Sequence, residues 1–169
     1  MNGLVLLSHG LESGPTATKV SALARVARAR GWEAECLDYR DLDATRDVSR
    51  LHDRVARLRE RADGAQGLVL AGSSMGAFIS GLVSLAVRPR ALFLMAPPLA
   101  IPGFATRFDA ARVPTTIVHG WHDELISADD VYAFAKARDA ELHLVDDEHR
   151  LVAHVEYCAD RFADLLARL

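Results

Sequence analysis

Apolar positions along the chain fall into two alternating rhythms. Short, continuous apolar runs predict strands covered on both faces, and longer stretches with apolar residues three and four apart predict helices. Gly3 to Ser8 reads as a first strand, and His9 to Pro15, rich in turn formers, as a loop. From about Ala17 to Arg30 a helix carries Val20, Leu23, Ala24 and Ala27 on one face, and Gly31 ends it. Glu33 to Tyr39 is a weaker second strand, and Asp41 to Arg46 a polar linker. A second helix runs from about Val48 to Ala62, with Val48, Leu51, Val55 and Leu58 as its stripe. Leu68 to Ala71 is a buried strand, followed by a helix with Phe78, Leu82 and Leu85 at spacings of four and three that Arg88-Pro89 stops. Ala91 to Ala96 is apolar throughout and reads as a fourth strand.

Pro97 to Arg112 is the longest irregular segment. It holds three of the six prolines together with Leu99, Ile101, Phe104 and Phe108. Thr115 to His119 is a fifth strand. Ser127 is an expected N-cap, with Asp129 and Asp130 in the first turn of a helix that runs to about Arg138. Glu141 to Val145 is a sixth strand, and a last helix from about Leu151 carries Val155, Phe162, Leu166 and Leu169 inward. Strands alternating with helices predict an α/β fold with a parallel sheet and helices on both faces. No internal repeat or boundary divides the chain, so residues 1–169 read as one domain, with 97–112 as a candidate minimal cap.

Composition changes this picture little. Half the residues are hydrophobic and a quarter charged, the balance of an ordinary soluble globular domain. A net charge of −3 predicts no nucleic-acid partner. The arginines between Arg46 and Arg61 are interleaved with acids and read as a solvated helix face. The apolar start, Leu4 to Leu7, lacks a basic leader, and no apolar run reaches membrane-spanning length. The expected compartment is therefore the cytoplasm, with no membrane partner. Cys36 and Cys158 read as small buried hydrophobes, not as a disulfide or metal site.

The candidate chemistry starts at Gly72-Ser73-Ser74-Met75-Gly76, which matches Gly-x-Ser-x-Gly between a strand and a helix. The bare pattern arises by chance in roughly 5% of chains this long, so the flanking strand and helix carry much of its weight. Such a turn presents the Ser74 hydroxyl clear of the chain and aims the Met75 N–H at a reacting oxygen. A serine nucleophile needs a base, and seven histidines compete. In open α/β sheets the chemistry gathers at the carboxyl ends of strands. His52 is mid-helix, His143 lies inside the sixth strand and His154 falls a helical turn too late. His149 lies just past the sixth strand, where a loop can carry it over Ser74. Asp123, one short loop beyond the fifth strand, is the matching acid, with Glu124 as its neighbouring competitor. The order Ser74, Asp123, His149 is the one expected of this elbow. The loop Ser8-His9-Gly10-Leu11 offers the Leu11 N–H as a second oxyanion donor, with His9 structural.

These residues together resemble the α/β-hydrolase fold family, and the resemblance spans nearly the whole chain. It is carried by the strand leading to His9-Gly10-Leu11, the Gly72–Gly76 elbow, His119-Gly120-x-x-Asp123 and His149. The chain is similar to small, lidless bacterial members such as the YqiA-like esterases. The resemblance implies a three-layer core with a mostly parallel six-stranded sheet in the order 2-1-3-4-5-6. It implies a serine hydrolase of small carboxylic esters or thioesters that works without metal or organic cofactor. Leu11, Leu99, Phe104 and Trp121 are candidate substrate contacts. The alternative for Leu99 and Phe104 is a small core belonging to the loop itself. Two other functions stay open at this point: a non-catalytic binding protein on the same fold, and an acyltransferase or lyase on the same scaffold.

Overall fold

The structure is a computed structural model and describes residues 2–169. Six strands form one sheet: β1 (Leu4–Ser8), β2 (Glu33–Leu37), β3 (Val69–Ser73), β4 (Ala91–Met95), β5 (Thr115–Gly120) and β6 (Glu141–Val145). Six α-helices accompany them: α1 (Thr18–Ala29), α2 (Arg40–Asp43), α3 (Leu51–Ala62), α4 (Met75–Val87), α5 (Ala128–Ala137) and α6 (Val155–Ala167). The sheet order is β2-β1-β3-β4-β5-β6, and every neighbouring pair is parallel. A parallel pair needs a crossover between its strands, and the helices supply most of these.

The apolar rhythm explains the layers. Successive strand residues face opposite sides of the sheet. Val5, Leu7, Val69, Phe93 and Val118 face α1 and α6, where they meet Val20, Leu23, Ala27, Phe162 and Leu165. Leu6, Leu70, Leu92, Leu94 and Ile117 face the other way, toward Leu51 and Leu58 of α3 and Phe78, Ile79 and Val83 of α4. Fully burying each such side chain contributes about 1.5–3 kcal/mol, which favours this sandwich over any arrangement that leaves one face wet. The edge strands β2 and β6 are only partly covered, as the weaker pattern of β2 predicts. Among the described residues no helix is long and apolar enough to cross a membrane.

Three local expectations are corrected. The segment Asp41–Arg46 is not all linker, because Arg40–Asp43 forms the short helix α2. The helix expected from Val48 opens with a 3₁₀ turn, Val48–Arg50, and the last helix with another, Val152–His154. The arginine-rich face of α3 is not wholly solvated. Arg54 is only 1% exposed and lies on the inward stripe with Leu51 and Leu58. The expected cap holds, since the Ser127 hydroxyl accepts from the Asp130 N–H at 3.3 Å.

Strand order sets the position of the site. The chain runs from β1 outward to β2, then back across to β3, so the order reverses between β1 and β3. Loops leaving adjacent strands at such a point diverge and open a crevice at the carboxyl ends. The loop after β1 carries Gly10 and Leu11, and the turn after β3 carries Ser74.

Candidate active site

Ser74 occupies a backbone conformation with φ 52° and ψ −115°. Non-glycine residues at such angles cost on the order of 1–3 kcal/mol and need surroundings that hold them there. Here the Ser74 N–H donates to the Met95 carbonyl at 2.8 Å, and its own carbonyl accepts from Phe78 N–H at 3.0 Å. The turn is tight because both flanking glycines are needed. A Cβ on Gly72 would lie 2.3 Å from the Gly76 carbonyl oxygen, and a Cβ on Gly76 would lie 1.9 Å from that of Ser8. Gly76→Ala must therefore push the β1 loop off α4. The expected result is a loss of about 1–3 kcal/mol in urea denaturation, the usual cost of overpacking, with activity falling further than stability explains.

The Ser74 hydroxyl lies 2.8 Å from His149 Nε2, and His149 Nδ1 lies 2.8 Å from Asp123 Oδ2. The imidazole side chain is 11% exposed and the carboxylate fully buried. Asp123 Oδ1 accepts from the N–H groups of Leu125 and Ile126 at 2.9 and 2.8 Å. Burial alone would raise this carboxyl. The hydrogen bonds from His149 and from the two backbone N–H groups outweigh burial and hold it below the usual carboxylate range. Asp123 thus stays ionised, with one oxygen committed to the backbone and the other to the imidazole. Glu124 takes a different place, its carboxylate accepting from the His149 N–H at 3.3 Å.

The loop bearing His149 is organised by Asp147. One carboxylate oxygen accepts from Glu148 N–H at 2.8 Å, and the other from Ala153 N–H at 3.0 Å and His154 Nδ1 at 2.9 Å. Leu151 closes the loop in the left-handed region at φ 54° and is fully buried. His119, which sequence reasoning left without a role, is also fully buried, and its Nε2 stands 3.5 Å from Asp123 Oδ2. It donates to the Ile126 carbonyl at 3.0 Å. Burial lowers its pKa, which keeps it neutral and leaves the Asp123 charge to His149.

Gly10 packs against the turn, and a Cβ there would lie 3.6 Å from the Ser74 Cβ. Among the described residues no protein group accepts from the N–H of Leu11 or of Met75. His9 is buried; its Nε2 accepts from the Tyr39 N–H at 3.0 Å and its Nδ1 donates to the Gly10 carbonyl at 2.7 Å. It serves the loop, as expected. His52 packs on Phe104, and His143 pairs with Tyr157 and Glu141.

Of the expected substrate contacts, Leu11 and Trp121 are about half exposed, at 51% and 53%. Leu99 and Phe104 are placed differently. Phe104 is buried edge-on to Phe78, with ring centroids 6.0 Å apart, and Leu99 packs against the same core. The segment 97–112 is tied down along its length. Phe108 N–H donates to the Leu99 carbonyl, Ala111 N–H to the Ser84 hydroxyl, and Arg138 to the Ala110 carbonyl. Two surface concavities, near 480 and 320 Å³, are lined mainly by residues at the amino ends of strands, among them Gly3, Glu33, Trp32 and Arg90. Neither reaches Ser74, which is half-buried at the opposite, carboxyl-end edge of the sheet.

A parallel sheet in this order, with a strained serine turn after β3 and a histidine and carboxylate beyond the last two strands, defines an α/β-hydrolase architecture. Comparison with solved structures places the chain within it. A hydrolase-superfamily protein from Xanthomonas campestris pv. campestris is 53% identical over 99% of both chains, with a TM-score of 0.95. The chain belongs to the alpha/beta hydrolase superfamily. More distant likenesses share the fold. Est1E from Butyrivibrio proteoclasticus is 18% identical over 98% of this chain and 87% of its own, at a TM-score of 0.76. A lidless a/b serine hydrolase, also from Xanthomonas campestris, is 19% identical over 98% and 81%, at 0.71. No protein-family model matches the chain, and no curated protein does.

Proposed function

We propose that the chain is a serine hydrolase of small carboxylic esters or thioesters. The observation that carries this reading is the unbroken hydrogen-bond chain from Ser74 through His149 to Asp123. With Nδ1–H donated to Asp123, Nε2 carries the lone pair that takes the Ser74 proton. The hydroxyl oxygen then attacks the carbonyl carbon. The oxyanion of the tetrahedral intermediate is held by the N–H groups of Leu11 and Met75, both of which are left without a protein acceptor. His149 returns its proton to the leaving alcohol or thiol, and water repeats the sequence on the acyl-enzyme. Nothing in these steps calls for a cofactor.

The acyl groups of this reading are small or surface-presented, with the half-exposed Leu11 and Trp121 as their apolar contacts. The anchoring of 97–112 supports a fixed wall and not a moving lid. The test is intact-protein mass spectrometry after incubation with a small fluorophosphonate. One stoichiometric adduct is expected on the wild type and none on Ser74→Ala. A folded wild-type protein that takes up no adduct would overturn the reading.

A further inference from the structure

We infer that Arg54 is a positioning residue for the oxyanion hole, acting through the Gly10 carbonyl to aim the Leu11 N–H at the reacting oxygen. The inference rests on the serine-hydrolase reading and adds to it a residue far from Ser74 in sequence. Arg54 is a buried guanidinium on a helix that contributes nothing else to the site. A buried cation is costly unless paired and fully hydrogen-bonded, so its partners indicate what it is there to hold.

One edge of the fork is fixed by Asp43. Arg54 Nε donates to Asp43 Oδ1 at 2.8 Å and Nη2 to Asp43 Oδ2 at 2.5 Å. The guanidinium lies over the Tyr39 ring, 4.5 Å from its centroid, and the Tyr39 hydroxyl is 2.9 Å from Ser8 Oγ. The remaining donors point into the β1 loop. Nη1 donates to the His9 carbonyl at 3.0 Å and Nη2 to the Gly10 carbonyl at 3.4 Å. The Gly10 carbonyl therefore receives two donors from below, Arg54 and His9 Nδ1.

The peptide bond links this to the chemistry. The Gly10 carbonyl and the Leu11 N–H belong to one planar trans unit and point in opposite directions. Holding the carbonyl oxygen on the Arg54 side therefore fixes the N–H on the opposite side of the same unit, in a loop that packs against the Ser74 turn at Gly10. Hydrogen bonds to that carbonyl also polarise the same amide and strengthen its N–H as a donor. A lysine at 54 would keep the charge but not the planar fork. It could not hold the carboxylate with two donors and reach both carbonyls at once.

The experiment is steady-state turnover of p-nitrophenyl acetate by wild type and Arg54→Lys, well below the melting temperature. Alongside it, 19F NMR follows the hemiketal formed by a small trifluoromethyl ketone. The expected result for the variant is a kcat lower by about 10–100-fold, short of losing an oxyanion donor outright, with KM within about twofold. The pKa of the enzyme-bound hemiketal oxyanion should rise, a signature that loss of stability alone would not produce. If Arg54→Lys does not fold, Asp43→Asn loosens the same guanidinium without removing it and should shift kcat and the NMR signal the same way. A folded variant with kcat and hemiketal pKa unchanged would overturn the inference and leave the serine-hydrolase reading intact. A wild type that neither turns over nor takes up a fluorophosphonate would overturn both.

Discussion

Replacing Ser74 by alanine should lower turnover of p-nitrophenyl acetate by roughly 10⁴–10⁶ while leaving the protein folded. The hydroxyl has one clear polar partner, His149 Nε2 at 2.8 Å, and its removal takes away the nucleophile without opening a core cavity. The turn itself stays strained, because alanine at φ 52° is no more comfortable than serine. Glycine is comfortable there, so Ser74→Gly should be equally inactive yet more stable than Ser74→Ala by about 1 kcal/mol. Paired kinetic and urea-denaturation measurements check both parts. Activity surviving in Ser74→Ala would remove the serine from the mechanism. Equal stability of the two variants would mean that the turn stores no strain.

Asp123→Asn should cost about 10⁴ in kcat with little change in KM. The reason lies in how the carboxylate is shared. Leu125 and Ile126 donate to Oδ1, so an asparagine would leave its carbonyl oxygen there and place its NH₂ where Oδ2 meets His149. That NH₂ can only donate. It would hold the imidazole with its proton on Nε2, the tautomer that cannot accept from Ser74. Near-full activity would point to Glu124, whose carboxylate reaches the His149 backbone.

Stability should report the same group. The folded-state pKa of Asp123 is depressed, so its contribution is fully present above the unfolded value of about 3.9 and is lost as pH falls through the folded value. The stability gap between wild type and Asp123→Asn should therefore be wide at pH 7 and shrink progressively as the pH falls below about 3.9. A gap independent of pH would show that the carboxylate charge is not what stabilises the loop.

Much of the fold and of the candidate triad is written in short stretches. Leu4–Leu7, Leu68–Ala71 and Ala91–Ala96 read as covered strands because no helix stripe or half-wet strand has such a pattern. The elbow is legible because its geometry needs small residues at two fixed positions, and the close contacts at Gly72 and Gly76 are the physical form of that need. Asp123 and His149 could be chosen because strand ends are where a parallel sheet presents its loops. Sheet order was a different matter: it came from the family resemblance, since periodicity shows that strands exist and not which ones are neighbours.

Arg54 shows where local pattern stops. Its place on the inward stripe with Leu51 and Leu58 was visible, but its charge pointed to solvent. The signal that could have found it is that conflict, a cation on an apolar stripe. Phe104 is a parallel case: Phe78 becomes its neighbour only when the chain closes. Within this protein the sequence by itself determined the strands, the longer helices and the strained serine turn, because backbone preference and hydrophobic period act over a few residues. Only the tertiary structure decided that Ser74, His149 and Asp123 stand in hydrogen-bond contact and that a buried arginine holds the Gly10 carbonyl. Those outcomes depend on polar partners 26 to 75 residues apart, which pair only when packing removes the water that would otherwise satisfy them.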